Sequence, residues 1–222
     1  MSVLTVYADP EDAAICLAGG GVLLFPTETF YALGCLATQG RAVGRVYQLK
    51  GRSVQQPLPL LAADMDQAAS LACLDGDALT LATLFWPGPL SLLLPVRPGA
   101  LQALPSPLVN SAGKIALRVT PHPLAALLAR LAGGPLTASS ANLSGKAPAR
   151  YYQEVSPELT ARLAAAQPAG QGGLILPRHP DEDPAGGAPS TLVEPLGGGR
   201  VRILRSGALG TAMLAEAGFC GI

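Results

Sequence analysis

The sequence has few charged side chains: Lys, Arg, Asp and Glu together make up 14% of its 222 residues, where soluble proteins average about 25%. Basic and acidic residues number 15 each, so the formal net charge at pH 7 is zero. Proteins that bind nucleic acid along an extended surface are usually strongly basic. The charge balance therefore excludes a globally basic coat, although it leaves room for a local basic groove. Aromatic residues reach only 5%, so the core must consist mainly of Leu, Ala and Val.

Histidine and cysteine, the common ligands of transition metals, are also scarce. The only histidines are His122 and His179. The cysteines are scattered without a CxxC pair: Cys16, Cys35, Cys73 and Cys220. This pattern argues against a metal centre and is typical of reduced, buried thiols in a cytoplasmic protein.

Long apolar runs and the common phosphate-binding loops are absent. No run approaches the ~20 apolar residues that a membrane-spanning helix needs. The N-terminal region carries Asp9, Glu11 and Asp12 and no basic segment before an apolar stretch, so we predict no signal peptide. Neither GxxxxGK[ST] nor GxGxxG opens a predicted helix. We therefore expect a cytoplasmic protein with no membrane partner.

Short apolar runs alternate with segments of helical periodicity, which predicts an α/β fold. The predicted strands span residues 22–25, 58–62, 90–96, 115–119, 136–139, 173–176, 190–194 and 200–204. The predicted helices span residues 10–18, 39–49, 64–71, 75–85, 124–131, 154–166 and 208–217, and residues 97–114 form a long loop. The final two strands form a hairpin, so the sheet is mixed. With no repeat and no linker, we expect a single domain over residues 1–222.

Polar residues follow the first buried strand without a glycine turn, in the order Pro26, Thr27, Glu28, Thr29. Open α/β sheets place ligands where a strand ends in such a loop. The next helix ends at Lys50-Gly51-Arg52. Alone, this triplet is typical of a solvated helix end. Together with the polar loop, it favours an anion site.

Two later stretches also have polar residues in apolar surroundings. Arg118 interrupts the apolar strand 115–119, and it must either lie on a solvated face or bind a partner or ligand. Ser140 and Asn142 follow another strand; they suit hydrogen bonding to a ligand, but a simple Ser/Asn turn has the same pattern.

Five stretches, taken in order, resemble the YrdC-like family of threonylcarbamoyl-AMP synthases: PTETFYALGC, LKGRSVQQPLPLL, FWPGPLSLLLP, ALRVTPHP and LTASSANLSGKAP. The resemblance extends from about residue 22 to residue 207. It implies a twisted mixed β-sheet, flanked by helices, around a central cavity. It also implies the synthesis of threonylcarbamoyl-AMP and pyrophosphate from L-threonine, bicarbonate or CO2, and ATP with Mg2+. That product serves tRNA threonylcarbamoyladenosine modification, so tRNA and downstream transfer proteins are further expected partners.

The resemblance also assigns site residues. The ATP site would comprise Lys50, Arg52, Gln56, Ser140, Asn142 and Arg205, with Lys50 and Arg52 as the catalytic pair. The threonine site would comprise Thr29, Arg118 and Ser190. Ser140 and Asn142 would also lie near the magnesium of ATP, and no protein side chain is assigned as a metal ligand.

The sequence departs from the family pattern at three positions. Ala32 stands where Gly is usual, Leu61 stands where some members have a threonine-contacting His, and Lys114 replaces a small hydroxyl residue. We expect an altered loop at Ala32, a lost contact at Leu61 and an added phosphate-binding cation at Lys114. The chain resembles the short form of the family, without a C-terminal extension.

Two alternatives share the same fold. One is a non-catalytic module that binds double-stranded RNA, which the zero net charge disfavours. The other is the carbamoyl-transferring domain of a hydrogenase-maturation factor, which belongs to longer chains with zinc-finger-like cysteines. Residues 177–189, rich in Pro, Gly and acidic side chains, would be either a mobile lid next to Ser190 or a surface insertion.

Overall fold

The computed structural model describes residues 4–165, 172–177 and 179–222, which form a mixed α/β fold. The strands are β1 Thr5–Tyr7, β2 Val22–Pro26, β3 Tyr31–Gly34, β4 Leu60–Ala62, β5 Leu90–Pro95, β6 Lys114–Val119, β7 Leu136–Thr137, β8 Ser139–Ser140, β9 Gly172–Ile175, β10 Thr191–Gly197, β11 Arg200–Arg205 and β12 Cys220–Gly221. The α-helices are α1 Pro10–Ala18, α2 Gly40–Lys50, α3 Met65–Leu71, α4 Gly76–Phe85, α5 Pro98–Leu101, α6 Pro123–Leu131, α7 Pro157–Ala165 and α8 Thr211–Glu216. Short 3-10 turns occur at Ser106–Leu108, Tyr152–Glu154 and Pro180–Glu182.

The strands form two mixed sheets. The first has the order β1-β9-β2-β3-β8, with β9 parallel to both β1 and β2 and the remaining pairs antiparallel. The second has the order β12-β11-β10-β5-β6-β4-β7 and alternates parallel with antiparallel pairs. The predicted mixed α/β fold is therefore confirmed, with its strands divided between two sheets.

Strand β2 lies at the centre of the first sheet, and all of its residues are apolar and buried. Val22 and Leu24 pack on one face, in the cluster that contains α2. Leu23 and Phe25 pack on the other face, in the cluster that contains α1 and α6. Successive side chains of a strand point to opposite faces, so an uninterrupted apolar run is what a sheet covered on both faces requires.

The two sheets meet where β3 runs out of the first sheet towards β7 of the second. The backbone N–H of Ala37 donates to the carbonyl of Pro135 at 2.9 Å, and that of Thr137 donates to the carbonyl of Cys35 at 2.8 Å. Gly34 is packed so closely here that a Cβ would lie 1.8 Å from the carbonyl oxygen of Thr137. The absence of a side chain at Gly34 is therefore what allows this approach.

Most predicted elements are found within two residues of their predicted bounds. Asp64 accepts a hydrogen bond from the N–H of Gln67 and caps α3, and Trp86 is buried at the end of α4, with its indole N–H donating to the carbonyl of Leu90 at 2.6 Å. Three corrections apply: the predicted loop 97–114 contains α5, the segment expected to be a loop at Ala32 is strand β3, and the strands β1 and β12 were not predicted. The predicted end of helix 154–166 at Ala166 lies outside the described residues.

Helix α2 ends where Gly51 takes a left-handed conformation, with φ of 60°. Glycine is the residue that adopts this conformation without steric cost. The turn reverses the chain directly after Lys50, so Lys50 stays buried under the helix while Arg52 emerges beside the following loop. Within the part of the chain that the structure describes, no helix is long and apolar enough to cross a membrane.

Candidate active site

Residues of both sheets line a cavity of about 90 Å3. Its lining is mostly polar or cationic and comprises Thr27, Thr29, Phe30, Tyr31, Arg52, Pro59, Arg118, Ala138, Ser139, Ser140, Pro189, Ser190 and Arg205. Drug-sized ligands occupy cavities of about 300 Å3 or more. The enclosed space is therefore sized for a small molecule such as an amino acid, and anything larger must extend out of it.

The loop after β2 supplies two buried hydroxyl groups to this cavity. The Thr27 hydroxyl donates to the carbonyl of Phe30 at 2.7 Å, and it lies 3.4 Å from the hydroxyl of Thr29. This internal bond holds Thr27 in the turn, so Thr29 is the residue of the two that is better placed to bind a ligand. The structure therefore places the predicted residue Thr29 at the cavity.

Arg118, at the carboxyl end of β6, is 4% exposed and also lines the cavity. Its Nε donates to Glu28 Oε1 at 2.7 Å, and the hydroxyl of Thr120 donates to Glu28 Oε2 at 2.7 Å. Within the residues that the structure describes, no hydrogen bond is formed by the two terminal nitrogens of Arg118. The ion pair uses the side of the guanidinium that carries Nε. The opposite edge, with its two terminal nitrogens, remains available and matches the two oxygens of a carboxylate.

Lys50 is 3% exposed and lies behind Ser140 rather than in the cavity lining. Its Nζ donates to the carbonyl of Ser140 and to the carbonyl of Asn142, the latter at 2.6 Å. Burial, reinforced by the charge of Arg52, lowers the pKa of Lys50 to about 7. Burial thus disfavours the charged amine, and a new anion nearby would favour it and draw a proton onto Lys50.

Arg52 lines the cavity and is held by the loop that follows it. Its Nε donates to the carbonyl of Gln56 at 3.0 Å, and its Nη2 donates to the carbonyl of Pro57 at 3.3 Å. The side chain of Gln56 is exposed and does not line the cavity. The structure therefore brings the backbone carbonyl of Gln56 to Arg52, and the predicted contact of Gln56 with ATP stays a prediction.

The turn after β8 is closed by its own side chains. The hydroxyl of Ser140 donates to Asn142 Oδ1, and the amide of Asn142 donates to the carbonyls of Lys146 and Leu143, the latter at 3.1 Å. Ser140 lines the cavity, whereas Asn142 reaches it only through Ser140 and Lys50. Short polar side chains leave room here for a ligand to approach the backbone.

Ser190 and Arg205 close the cavity from the final hairpin. Arg205 donates from Nε and Nη2 to the carbonyl of Ser190 at 3.0 and 2.8 Å, and from Nη2 to its hydroxyl at 2.9 Å. The hydroxyl of Ser190 lies 2.9 Å from that of Ser91, a buried residue of β5. Ser91 thus orients Ser190, and only its polar character in an apolar strand could have indicated this from the sequence.

The cations of the site repel one another. Burial lowers the pKa of Arg205, and the charges of Arg118 and Arg52 lower it further. Burial likewise lowers the pKa of Arg52. The cavity lining contains three guanidinium groups, and Glu28 is the carboxylate paired with one of them among the described residues, so positive charge is in excess around the cavity and an anionic ligand would neutralise it.

Residues 177–189 are attached to this site by backbone hydrogen bonds. The N–H groups of Ala185 and Gly186 donate to the carbonyls of Glu28 and Thr29 at 3.2 and 2.8 Å. His122 accepts from the N–H of Ala125 through Nδ1, which leaves Nε2 to donate to the carbonyl of Glu182 at 2.6 Å. The predicted lid therefore has fixed contacts with the site; Arg178, within it, lies outside the described residues.

The three departures from the family pattern lie in different places. Lys114 is 2.6 Å from Glu194, which also pairs with Arg202 at 2.9 Å, and it lines a separate cavity of about 230 Å3. The expected role of Lys114 as a phosphate-binding cation is wrong for this reason. Leu61 is fully buried in β4 opposite Arg118, and Ala32 is buried in β3.

A second cavity, of about 380 Å3, adjoins the first and shares Tyr31 with it. Its lining comprises Tyr31, Tyr151, Tyr152, Gln153, Leu176, Pro177, His179 and Asp183. This second cavity is by itself large enough for a ligand bigger than an amino acid. Among the described residues, no three His, Cys, Asp or Glu side chains converge as a metal site.

The family model described as "Telomere recombination", which covers the Sua5, YciO and YrdC proteins, matches residues 16–207. The chain belongs to the Sua5/YciO/YrdC family. The expected family is thereby confirmed, and the shared fold of the family accounts for the order of the motifs along this member.

Two curated relatives of this family member are named threonylcarbamoyl-AMP synthase. The Bacillus subtilis protein is 40% identical over 170 residues, which cover 75% of this chain and 48% of that protein. The Xanthomonas campestris pv. campestris protein is 36% identical over 172 residues, which cover 76% of this chain and 90% of that protein. The chain thus spans about half the length of the first relative.

Among solved structures, P. abyssi Sua5 complexed with L-threonine is similar to this family member. It has a TM-score of 0.76 and 28% sequence identity, and the match covers 97% of this chain and 60% of that chain. The match therefore includes nearly all of this chain. It places this chain among the Sua5-type folds.

Proposed function

We propose that this chain is a threonylcarbamoyl-AMP synthase, which converts L-threonine, bicarbonate or CO2, and ATP into threonylcarbamoyl-AMP and pyrophosphate. The observation that carries the proposal is the buried Arg118, whose Nε is paired with Glu28 while its terminal nitrogens form no hydrogen bond with any described residue. A small cavity lined by such an arginine, two threonines and three serines suits a hydroxylated amino acid.

The threonine would bind in the small cavity. Its carboxylate would accept two parallel hydrogen bonds from Arg118, because a guanidinium presents the matching pair of donors. The hydroxyl groups of Thr29 and Ser190, both buried beside this cavity, would bind the polar groups at the other end of the amino acid. This arrangement leaves the amine accessible for carbamate formation.

The triphosphate of ATP would lie at the more exposed side of the cavity. Arg52 and Arg205 are both more exposed than Arg118 and both line the cavity, so they can contact a ligand that extends outwards. Ser140 adds a hydroxyl there, and Lys50 adds a charge directly behind Ser140. Cations at this position would stabilise the negative charge that develops when pyrophosphate leaves.

The chemistry requires positioning more than acid–base groups. The threonine amine forms an N–C bond with CO2 and loses a proton, which gives a carbamate. A carbamate oxygen then attacks the α-phosphorus of ATP, and the bond to the pyrophosphate oxygen breaks in line. Holding the two substrates in contact supplies most of the acceleration in such reactions. The cavity, with its cations and hydroxyl groups, is suited to that task.

Magnesium would enter the site with ATP. The nearby oxygen donors, the carbonyls of Ser140 and Asn142, already bind Lys50, so the residues present do not form a metal cage. Magnesium commonly keeps several waters and binds through substrate phosphates. In this proposal, the ion therefore belongs to the substrate, and no protein side chain is assigned as its ligand.

We further propose a cytoplasmic location and a product that is passed on to tRNA modification. All four cysteines are free thiols, as a reducing compartment would keep them. Arg52, Arg118 and Arg205 converge on one small cavity, and the formal net charge of the chain is zero, which favours a small anionic substrate over the double-stranded RNA of the alternative hypothesis.

The test is pyrophosphate release from ATP by the purified protein. We expect release only when threonine and bicarbonate are both present, accompanied by equal amounts of threonylcarbamoyl-AMP. Equal release after threonine is omitted would contradict the proposal, as would tight binding of double-stranded RNA with no turnover of ATP.

A further inference from the structure

Glu28 is the carboxylate that organises the small cavity, although it does not line it. Its side chain is 10% exposed and its two oxygens have different partners. Oε1 accepts from Arg118 Nε and Oε2 accepts from the hydroxyl of Thr120, both at 2.7 Å. Arg118 and Thr120 are two residues apart where the chain leaves β6, so they lie on the same face of it. Glu28 therefore hydrogen-bonds to that face at two points.

The choice of Nε as the bonded atom determines how Arg118 is oriented. A carboxylate can bind a guanidinium through the two terminal nitrogens or along the edge that contains Nε. Here Nε is used, so the guanidinium plane is fixed while its outer edge stays available. A carboxylate bound at both terminal nitrogens would instead have occupied the donors that a ligand needs.

Glu28 also has a fixed backbone. Its carbonyl accepts from the N–H of Ala185, and the carbonyl of the adjacent Thr29 accepts from the N–H of Gly186. The loop that carries Glu28 is therefore held between β6 and residues 177–189. A carboxylate with a fixed backbone and two short hydrogen bonds can orient another side chain accurately.

We infer that Glu28 is a positioning residue for recognition of the substrate carboxylate: it orients Arg118 so that the terminal nitrogens of Arg118 bind the α-carboxylate of the amino acid. This inference rests on the proposed function. Glu28 contacts no substrate atom; it acts on the substrate through Arg118. Its effect is therefore confined to ligands that carry a carboxylate.

The test compares two ligands in three proteins: the parent, Glu28→Ala and Glu28→Gln. The ligands are L-threonine and L-threoninamide, which lacks the carboxylate and retains the amine and hydroxyl. Calorimetric titration measures the dissociation constant of each. In the parent protein, we expect threonine to bind more tightly than threoninamide.

We expect Glu28→Ala to weaken threonine binding by about 10- to 100-fold, the range for loss of one well-made hydrogen bond to a charged group. Threoninamide binding should change by less than about threefold. Glu28→Gln keeps an oxygen for Arg118 Nε and an amide for the hydroxyl of Thr120. Its dissociation constant for threonine should therefore lie between those of the parent and the alanine variant. If the alanine variant does not fold, the test rests on this variant.

Glu158→Gln is the matched control. It removes a carboxylate that also binds an arginine at 2.7 Å, but on the surface of α7, where the side chain of Glu158 is 58% exposed. Both ligands should bind this variant as they bind the parent.

The outcomes are distinguishable. If the parent binds threonine no more tightly than threoninamide, the proposed function is contradicted. If the parent discriminates and both Glu28 variants weaken the two ligands equally, or weaken neither, the positioning role is overturned.

Discussion

Lys50 combines deep burial with a pKa of about 7, and this pair of properties predicts a pH dependence of ATP binding. In the free protein, the amine loses its charge as the pH rises through 7. The triphosphate would favour the charged form, so binding takes up a proton above pH 7. We expect the dissociation constant for ATP to rise between pH 7 and pH 9, by up to about tenfold per pH unit.

The measurement is ATP titration at several pH values in the parent and in Lys50→Met. The nucleotide titrates identically in both, so only the parent should show the additional slope. The free energy of unfolding should instead increase as the pH rises. The pKa of Lys50 in the folded protein lies below its ordinary value of 10.5. The buried charge therefore destabilises the fold fully below pH 7, and this destabilisation disappears as the pH rises towards 10.5. If the dissociation constant for ATP changed equally with pH in the two proteins, Lys50 would not belong to the ATP site.

Arg118→Ala tests the amino-acid end of the site. We expect the KM for threonine to rise far more than that for ATP, since truncating one member of a desolvated charge pair costs about 2 to 5 kcal/mol. Kinetics with each substrate varied in turn measure the effect. The same change leaves the buried Glu28 without its cation, so the free energy of unfolding should fall as well. A parallel rise of both KM values would make Arg118 a structural residue only.

At the scale of single elements, residues 177–189 are tied to the site at Gly186, and a pair of neighbouring glycines tests this contact. Both Gly186 and Gly187 have positive φ, of 72° and 77°, so alanine at either costs about 1 to 2 kcal/mol of strain. Only at Gly186 would a Cβ also lie 2.8 Å from the Arg150 side chain.

We expect Gly186→Ala to loosen the segment and raise the KM for threonine, because its N–H binds the carbonyl of Thr29. Gly187→Ala serves as the control and should leave that KM near the parent value. Hydrogen exchange of residues 179–189 gives an independent measure of loosening. Equal effects of the two substitutions would mean that strain alone matters and that the contact with Thr29 does not.

The elements that the sequence predicts well are those with a strong local signal. Strand β2 is an uninterrupted apolar run, and α2 has apolar residues at helical spacing and a glycine at its end. Strands β1 and β12 have three and two residues, too few to show a period. Strand β3 follows a polar loop with no turn signal, and its pairing depends on β2 and β8 rather than on its own residues.

The site also contains residues with a local sequence signal and residues without one. The oddity of Arg118 in an apolar strand is visible locally, and it indicated a need for a partner. Its partner Glu28 lies 90 residues away, and no local pattern reports such a distance. The resemblance assigns Lys50, Ser140 and Asn142 to one ATP site, which stays a prediction; that Lys50 and Asn142 lie outside the cavity lining depends on how the two sheets meet.

At the scale of the whole molecule, the contact between the sheets depends on Gly34. Alanine there would force its Cβ against the backbone of Thr137, which has little freedom to move. We expect a loss of stability of about 1 to 3 kcal/mol, the usual cost of overpacking. The KM values for both substrates should rise, because β7 leads directly into Ser139 and Ser140 of the cavity.

Gly44→Ala is a control for which we expect the opposite change in stability. Gly44 lies inside α2 and an added Cβ would have no atom within 4 Å, so alanine should stabilise the protein by about 1 kcal/mol. Urea denaturation of both variants measures the two effects. A Gly34→Ala protein as stable as the parent would show that the sheets can separate without cost.

The position of β10 between β11 and β5 has a consequence for how the protein is made. Until β10 (Thr191–Gly197) has left the ribosome, β5 has an unpaired edge along Leu90 to Leu92. An unprotected apolar edge strand invites intermolecular pairing. A nascent chain at this stage is therefore a natural client for a chaperone. If the proposed function holds, we expect such a chain not to bind ATP, because Arg205 belongs to the same hairpin that covers this edge.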